Sequence, residues 1–325
     1  MEQMQDQLRK RVLMLGATGT AGHAAARAII ARGHAVTCLV RREPAHPIEG
    51  ATYRVADIFD PEDLIQDGFC GERFDAVVSC IASRTGTPKD SWRVDYEANL
   101  NVLTAARQAG VTQFVLLSAI CVQKPLLAFQ HAKLAFEEKL MQSGLSYSIL
   151  RPTAFFKSLS GQIDRVRSGK PFLLFGDGTL TSCKPISNDD LGAFIADCLI
   201  DPAKQNAILP IGGPGGAVTL KEQGEELFRL TGKPPKYKKI PVAMFDLIGG
   251  ILRAMGKVSP KLAEKGELAR IGRYYATESM LVWDEKAGRY DAGATPETGT
   301  ETLFDYYAKL VAEGQSAQRG DHSVF

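Results

Sequence analysis

Three glycines, Gly16, Gly19 and Gly22, follow directly on an apolar run in Arg11-Val-Leu-Met-Leu-Gly-Ala-Thr-Gly-Thr-Ala-Gly22. Their spacing suits a pyrophosphate. The first permits a tight turn, the second lets a backbone approach a phosphate, and the third lets a helix pack closely on a strand. The loop Gly16, Ala17, Thr18, Gly19, Thr20, Ala21, Gly22 would pass the phosphates to the N-terminus of the next helix. Free N–H groups and the dipole favour anions there. The following apolar run ends in Val40-Arg41-Arg42. An acidic residue near this point would bind ribose hydroxyls. Here the position is basic, and an arginine can hold a 2′-phosphate with two parallel bonds. Arg41 and Arg42 therefore point to NADPH. The plain alternative is a glycine turn followed by a solvated pair.

Elements of a particular kind must position these residues. Period-2 and short apolar runs predict strands at 12–15, 35–40, 51–56, 74–82, 113–119 and 146–150. Helical spacing predicts helices at 22–32, 61–68, 90–109 and 127–142. Asp60-Pro61 supplies an N-cap and a proline at the first helical position. This alternation predicts an α/β fold, a doubly wound parallel sheet with helices on both faces. After Arg151-Pro152 the pattern changes. Gly176-Asp177-Gly178 reads as a turn between strands 172–175 and 180–185. A helix at 189–200 and a strand at 207–211 return to the first pattern. The expected division is a dinucleotide-binding part over 9–152, rejoined by 185–212. A smaller substrate-binding region takes 153–184 and 213–312, and a frayed tail takes 313–325.

The composition excludes several classes. Lys and Arg number 39 against 37 Asp and Glu, and no long basic run occurs, so no nucleic-acid footprint is expected. The six cysteines, Cys38, Cys70, Cys80, Cys121, Cys183 and Cys198, include no C-x-x-C pair. No metal or iron–sulfur site is expected, and buried thiols suit a reducing cytoplasm. Residues 1–8 are polar, which argues against a leader peptide, and no apolar run reaches membrane-span length. A bacterial cytoplasmic location is expected, with at most a peripheral contact with a membrane.

The Gly-x-x-Gly-x-x-Gly spacing resembles that of the extended and atypical short-chain dehydrogenases. The resemblance implies that Asp57, with Ile58 beside it, contacts adenine, and that Cys80, Ile81 and Ala82 line the pyrophosphate path. Pro152 would also contact the cofactor. Members of that superfamily carry a Ser after strand five and Tyr-x-x-x-Lys on the next helix, where a spacing of four puts both side chains on one face. The Lys lowers the Tyr pKa, and the Tyr exchanges a proton with a carbonyl or alcohol oxygen. Ser118 is present, and the helix carries Phe129-Gln-His-Ala-Lys133. The Lys survives and the Tyr is Phe. Phe has no exchangeable proton. Either the protein binds cofactor without catalysis, or it reduces a bond that generates no alkoxide, such as a conjugated C=C.

Four strings narrow the resemblance: Leu117 to Leu127, Phe129 to Lys133, Arg151 to Ser158 and Arg273 to Met280. Together they are similar to the NADPH-dependent divinyl chlorophyllide 8-vinyl reductases, from about residue 9 to about 310. This implies reduction of an 8-vinyl group on a divinyl chlorophyllide a or a related magnesium tetrapyrrole. It implies Lys133 at the nicotinamide ribose and Ser118 on the reacting face. A flat apolar substrate needs a broad greasy site with few polar anchors. Phe129, Phe155, Phe156, Lys157, Tyr274 and Tyr275 are candidates for it. Lys157 could pair with a propionate, and the tyrosines could offer a ring face or a proton. The apolar stretch 241–256 stays open between a buried core helix and a pocket wall or weak membrane-surface contact. Two other readings stand beside the reductase. One is a non-catalytic NADP(H)-binding sensor or assembly factor, and the other is an isoflavone-reductase-like enzyme. Oligomeric state is not legible.

Overall fold

The computed structural model describes residues 9–256 and 259–314. The expected tail beyond 314 and the side chain of Arg253 lie outside the described residues. Seven parallel strands form the main sheet. They are β1 (Arg11–Leu15), β2 (Ala35–Val40), β3 (Ala51–Val55), β4 (Ala76–Ser79), β5 (Gln113–Leu117), β6 (Ser146–Pro152) and a late strand, Ala207–Ile211. Their spatial order is β3-β2-β1-β4-β5-β6 and then the late strand. The order reverses between β1 and β4, where open α/β sheets leave a ligand crevice at the carboxyl ends of the strands.

Strand β1 shows why both faces are covered. Val12 and Met14 enter one buried cluster with Ile29, Val115, Leu191 and Ile195. Leu13 and Leu15 point the other way, into a cluster with Val77, Phe114, Phe136 and Ile149. Successive strand side chains alternate faces, so a run apolar at every position needs helices on both sides. These come from α1 (Thr20–Ala31), α2 (Asn99–Gln108), α3 (Ala128–Met141) and α4 (Asn188–Cys198). Asp60 caps its helix as expected, accepting from the N–H groups of Glu62 (2.9 Å) and Asp63 (3.3 Å). Two predicted helices are less regular than their periodicity implied. Residues Leu64–Phe69 and Trp92–Ala98 form π-helical turns, the second leading straight into α2.

The predicted hairpin across Gly176–Gly178 does not form. Strand β7 (Phe172–Phe175) pairs in parallel with a later strand, Tyr237–Ile240, while Ser182–Cys183 pairs antiparallel with Val218–Thr219. Turn glycines at 176 and 178 do adopt positive φ, +60° and +85°. The turn was therefore legible, but the pairing was set by aromatic packing that sequence proximity does not reveal. Phe172 is buried with Leu227, Phe228 and Tyr307 in a third cluster, under α5 (Leu220–Thr231). Two further helices, α6 (Ala243–Gly256) and α7 (Pro260–Thr277), form a hairpin. They approach at Gly249, where a Cβ would lie 3.7 Å from the Ala269 side chain.

Helices α1 and α4 touch backbone to backbone at Gly192, whose Cβ would fall 2.6 Å from the carbonyl oxygen of Ala24. In an exposed helix Gly→Ala would stabilise by about 1 kcal/mol. Here overpacking should win. Gly192→Ala should destabilise by about 1–3 kcal/mol, read from the midpoint of urea unfolding, and an unchanged midpoint would refute so tight a crossing.

Candidate active site

The glycine loop occupies the crevice at the β1–β4 switch. Gly16 has φ +80°, and a Cβ there would collide with the Cys80 carbonyl at 2.7 Å. A Cβ on Gly22 would sit 2.1 Å from the Gly16 carbonyl oxygen. Only glycine fits either position, so the loop and the end of β4 lie in direct contact. Gly19 is the N-cap of α1, with no side-chain cap and no acidic residue in the first turn. Bare N–H groups and an uncompensated dipole therefore face the crevice, a fit for a pyrophosphate. Arg41 and Arg42 are exposed just after β2. No carboxylate pairs with either among the described residues. Asp57 is exposed after β3, and its Oδ1 accepts from the Phe59 N–H at 3.0 Å. Ile58 is half-buried beside it, its carbonyl held by Asn101 Nδ2 at 3.3 Å. Cys80 and Ile81 are half-buried and Ala82 exposed at the mouth, while Pro152 is buried at the end of β6.

Lys157 is placed differently from the expectation. It was a candidate for a substrate carboxylate, yet its Nζ donates to Thr20 Oγ1 at 2.9 Å, at the start of α1. Its charge thus lies at the phosphate end of the crevice. Phe156 also leaves the candidate substrate set. It is 2% exposed and packs against Tyr306 with ring centroids 5.4 Å apart. Phe155 is half-buried against the first core cluster.

Helix α3 places two of the candidate residues on one stripe. Phe129, Lys133 and Glu137 recur at spacing four and so share a face. Lys133 Nζ lies 3.0 Å from Asp95 Oδ1, in a pair almost closed to solvent. Asp95 sits in the second π-helical turn, and π-turns recur at functional sites. Its Oδ1 also takes the Ser83 N–H at 3.3 Å. Its Oδ2 is buried with no partner among the described residues. Glu137, 1% exposed, accepts from the Ser118 hydroxyl and the Arg151 guanidinium. Ser118 was expected on the reacting face. It is 6% exposed, and its proton is committed to Glu137.

Asp95, Glu137 and Arg151 were not singled out as site residues. Glu137 was within reach of sequence reasoning, since it lies one turn beyond Lys133. Asp95 was not, because a carboxylate on a helix is ordinarily solvated and only the fold turns it inward.

The opposite wall comes from α7. A Cβ on Gly86 would meet Ile271 Cδ1 at 2.7 Å and Phe129 Cδ1 at 3.7 Å, so these two side chains converge on one backbone. Tyr274 is 3% exposed and donates to the carbonyls of Cys121 (3.0 Å) and Lys124 (3.1 Å). Tyr275, 37% exposed, packs edge-on against it. Glu278 is occupied by Lys124 Nζ at 2.7 Å and the Tyr290 hydroxyl at 2.6 Å. Among the described residues no cluster could hold a metal ion.

A parallel sheet with a glycine cradle at its switch point defines a dinucleotide-binding protein of the doubly wound class. The comparisons agree. A family model described as NAD(P)H-binding matches residues 16–202. The NADPH-dependent quinone oxidoreductase of Escherichia coli superposes with a TM-score of 0.65, at 20% identity, over 93% of this chain and 99% of that one. The divinyl chlorophyllide a 8-vinyl-reductase of Cucumis sativus is 46% identical over 97% of this chain and 79% of its own length. A photosystem II assembly factor, Ycf39 of Synechocystis, is 36% identical over 47% of each chain. The chain belongs to the divinyl chlorophyllide a 8-vinyl-reductase family.

Burial pushes the thiols of Cys38, Cys80, Cys183 and Cys198 up to about 12, against an ordinary 9.0. Cys70 alone among the six is exposed. Iodoacetamide at pH 8 should therefore label the folded protein at Cys70, and the other sites only after unfolding. Unfolded thiols ionise first, so this contribution to stability is full below pH 9 and lost as pH rises towards about 12. Rapid labelling of Cys38 in the folded protein, read by peptide mass, would contradict the burial.

Proposed function

We propose that this protein reduces the 8-vinyl group of a 3,8-divinyl (proto)chlorophyllide a to ethyl, using NADPH, in chlorophyll or bacteriochlorophyll synthesis. The observation that carries the reading is Phe129. It stands one turn before the buried Lys133–Asp95 pair and leaves that place without a phenol for carbonyl chemistry. The full-length likeness to named 8-vinyl-reductases supports it. NADPH, when bound, supplies the hydride. The α1 N-terminus and Lys157 hold its pyrophosphate, and Arg41 and Arg42 hold the 2′-phosphate. Asp57 and Ile58 flank the adenine, and Cys80, Ile81, Ala82 and Pro152 line its path. Lys133, fixed by Asp95, orients the nicotinamide ribose. Phe129, Ile271 and Tyr275 give the chlorin an apolar wall. The assembly-factor alternative has weaker support, because the Ycf39 proteins that cover 73–78% of the chain are only 26–28% identical, against 46% over 97% for the reductase.

Purified protein with NADPH and 3,8-divinyl chlorophyllide a should convert the vinyl group, seen as a small blue shift of the Soret band. No conversion with NADPH bound would leave the binding-protein alternative standing. Lys133→Ala should lower turnover sharply with the fold intact. Arg41→Asp should weaken NADPH far more than NADH. Lys157→Ala should weaken both about tenfold, since a pyrophosphate contact of about 1.4 kcal/mol is common to them. Equal losses in Arg41→Asp would sink the 2′-phosphate assignment.

No helix among the described residues is long and apolar enough to cross a membrane. Helix α6 is not a core helix either. Met244, Leu247, Ile248 and Ile251 are 40%, 65%, 41% and 51% exposed, at the i, i+3, i+4, i+7 spacing of one stripe. Lys233, Lys236, Lys238 and Lys239, all exposed, lead directly into it. Cations beside an apolar stripe match an anionic lipid surface. The protein should sediment with phosphatidylglycerol vesicles and not with phosphatidylcholine ones, and Leu247→Glu should abolish this. No sedimentation with phosphatidylglycerol vesicles, or a dimer that Leu247→Glu dissolves, would refute the lipid assignment.

A further inference from the structure

A reduction of C=C needs a proton as well as a hydride, and α3 offers no free donor. The Ser118 hydroxyl is engaged in donating a hydrogen bond to Glu137, and Lys133 is held in its pair with Asp95. Tyr274 donates to two carbonyls. The Cys80 and Cys121 thiols lie in the same wall, both held protonated by burial. One further group remains on the Phe129 side of the crevice. Ile271 and Tyr275 are four residues apart on α7, so they share a face. Ile271 meets Gly86 beside Phe129, which places Tyr275 one turn further along the same wall. The residue is 37% exposed, while its hydroxyl lies beside the buried Cys121 thiol. Lys133 acts on that thiol electrostatically.

We propose that Tyr275 is the proton donor of the vinyl reduction, a phenol carried by α7 in place of the one that Phe129 removes from α3. The proposal rests on the reaction proposed above and concerns which group completes it. Hydride adds to one vinyl carbon as the C=C π bond breaks, and its electron pair delocalises into the macrocycle. The other vinyl carbon takes the proton as the Tyr275 O–H bond breaks. The substrate is reduced, the nicotinamide is oxidised, and the phenolate recovers its proton from water once the product leaves. Desolvation holds Tyr275 protonated well above the ordinary phenol range. The donor is therefore loaded throughout neutral pH.

Tyr275→Phe and Tyr274→Phe separate donor from scaffold. In Tyr275→Phe, chlorin binding without cofactor, read by fluorescence quenching, should stay within about twofold, and the melting temperature should hold. Single-turnover vinyl reduction should fall at least about 100-fold, within the range typical of a lost general acid. Tyr274→Phe should lower the melting temperature while keeping most of the turnover. If Tyr275→Phe does not fold, 3-fluorotyrosine at 275 serves in its place. It keeps the ring and lowers the phenol pKa, so the alkaline limb of the rate profile should move to lower pH. Tyr275→Phe turnover within threefold of wild type, or an unmoved alkaline limb, overturns the proposal. Absent turnover in the wild-type protein would instead refute the reaction itself.

Discussion

Burying Glu137 constrains everything around it. A carboxylate with 1% exposure cannot persist without partners, because the desolvation penalty is several kcal/mol. Ser118 at the end of β5 and Arg151 near the end of β6 supply them. One carboxylate thus ties α3 to two neighbouring strands. With that anchor set, the stripe one and two turns back is set as well. Lys133 must point into the crevice, and Phe129 must line it. Removing one partner would leave a charge unpaired, which costs about 3–5 kcal/mol.

A second chain of polar contacts holds Lys133 from the other side. The Ser79 hydroxyl donates to Asn99 Oδ1 at 2.6 Å, and Asn99 Nδ2 donates to the Asp95 carbonyl at 3.1 Å. Asp95 then meets Lys133 at 3.0 Å. The end of β4 is therefore linked through a π-turn to the same face of α3. This explains why the turn tolerates irregular helix geometry, since its widened loop turns Asp95 inward. One network thus fixes the face of α3 through Glu137, and the other pairs with the Lys133 ammonium on that face.

The α7 wall completes the crevice from a distant part of the chain. Its inner face is fixed by Tyr274 on two carbonyls and by Ile271 against Gly86. The outer side of the α6–α7 hairpin carries the exposed apolar stripe. One hairpin therefore serves both the site and the surface.

Local pattern determined a great deal by itself. The glycine spacing required backbone contact at Gly16 and Gly22, because no other residue fits there. The alternation of apolar strands with amphipathic helices required a parallel sheet covered on both faces. Asp60 announced its cap, and Phe129 announced the missing phenol. These are short-range consequences of residue type and period. Tertiary structure decided the rest, because the deciding groups are far apart in the chain. Strand β7 pairs with 237–240 across more than sixty residues, so the glycine turn beside it misled. Lys157 reaches Thr20 across 137 positions, which brings its charge to the start of α1. Asp95 becomes a partner rather than a solvated acid only when α3 packs over it. Charges acquire roles from their neighbours, and folding alone supplies those neighbours.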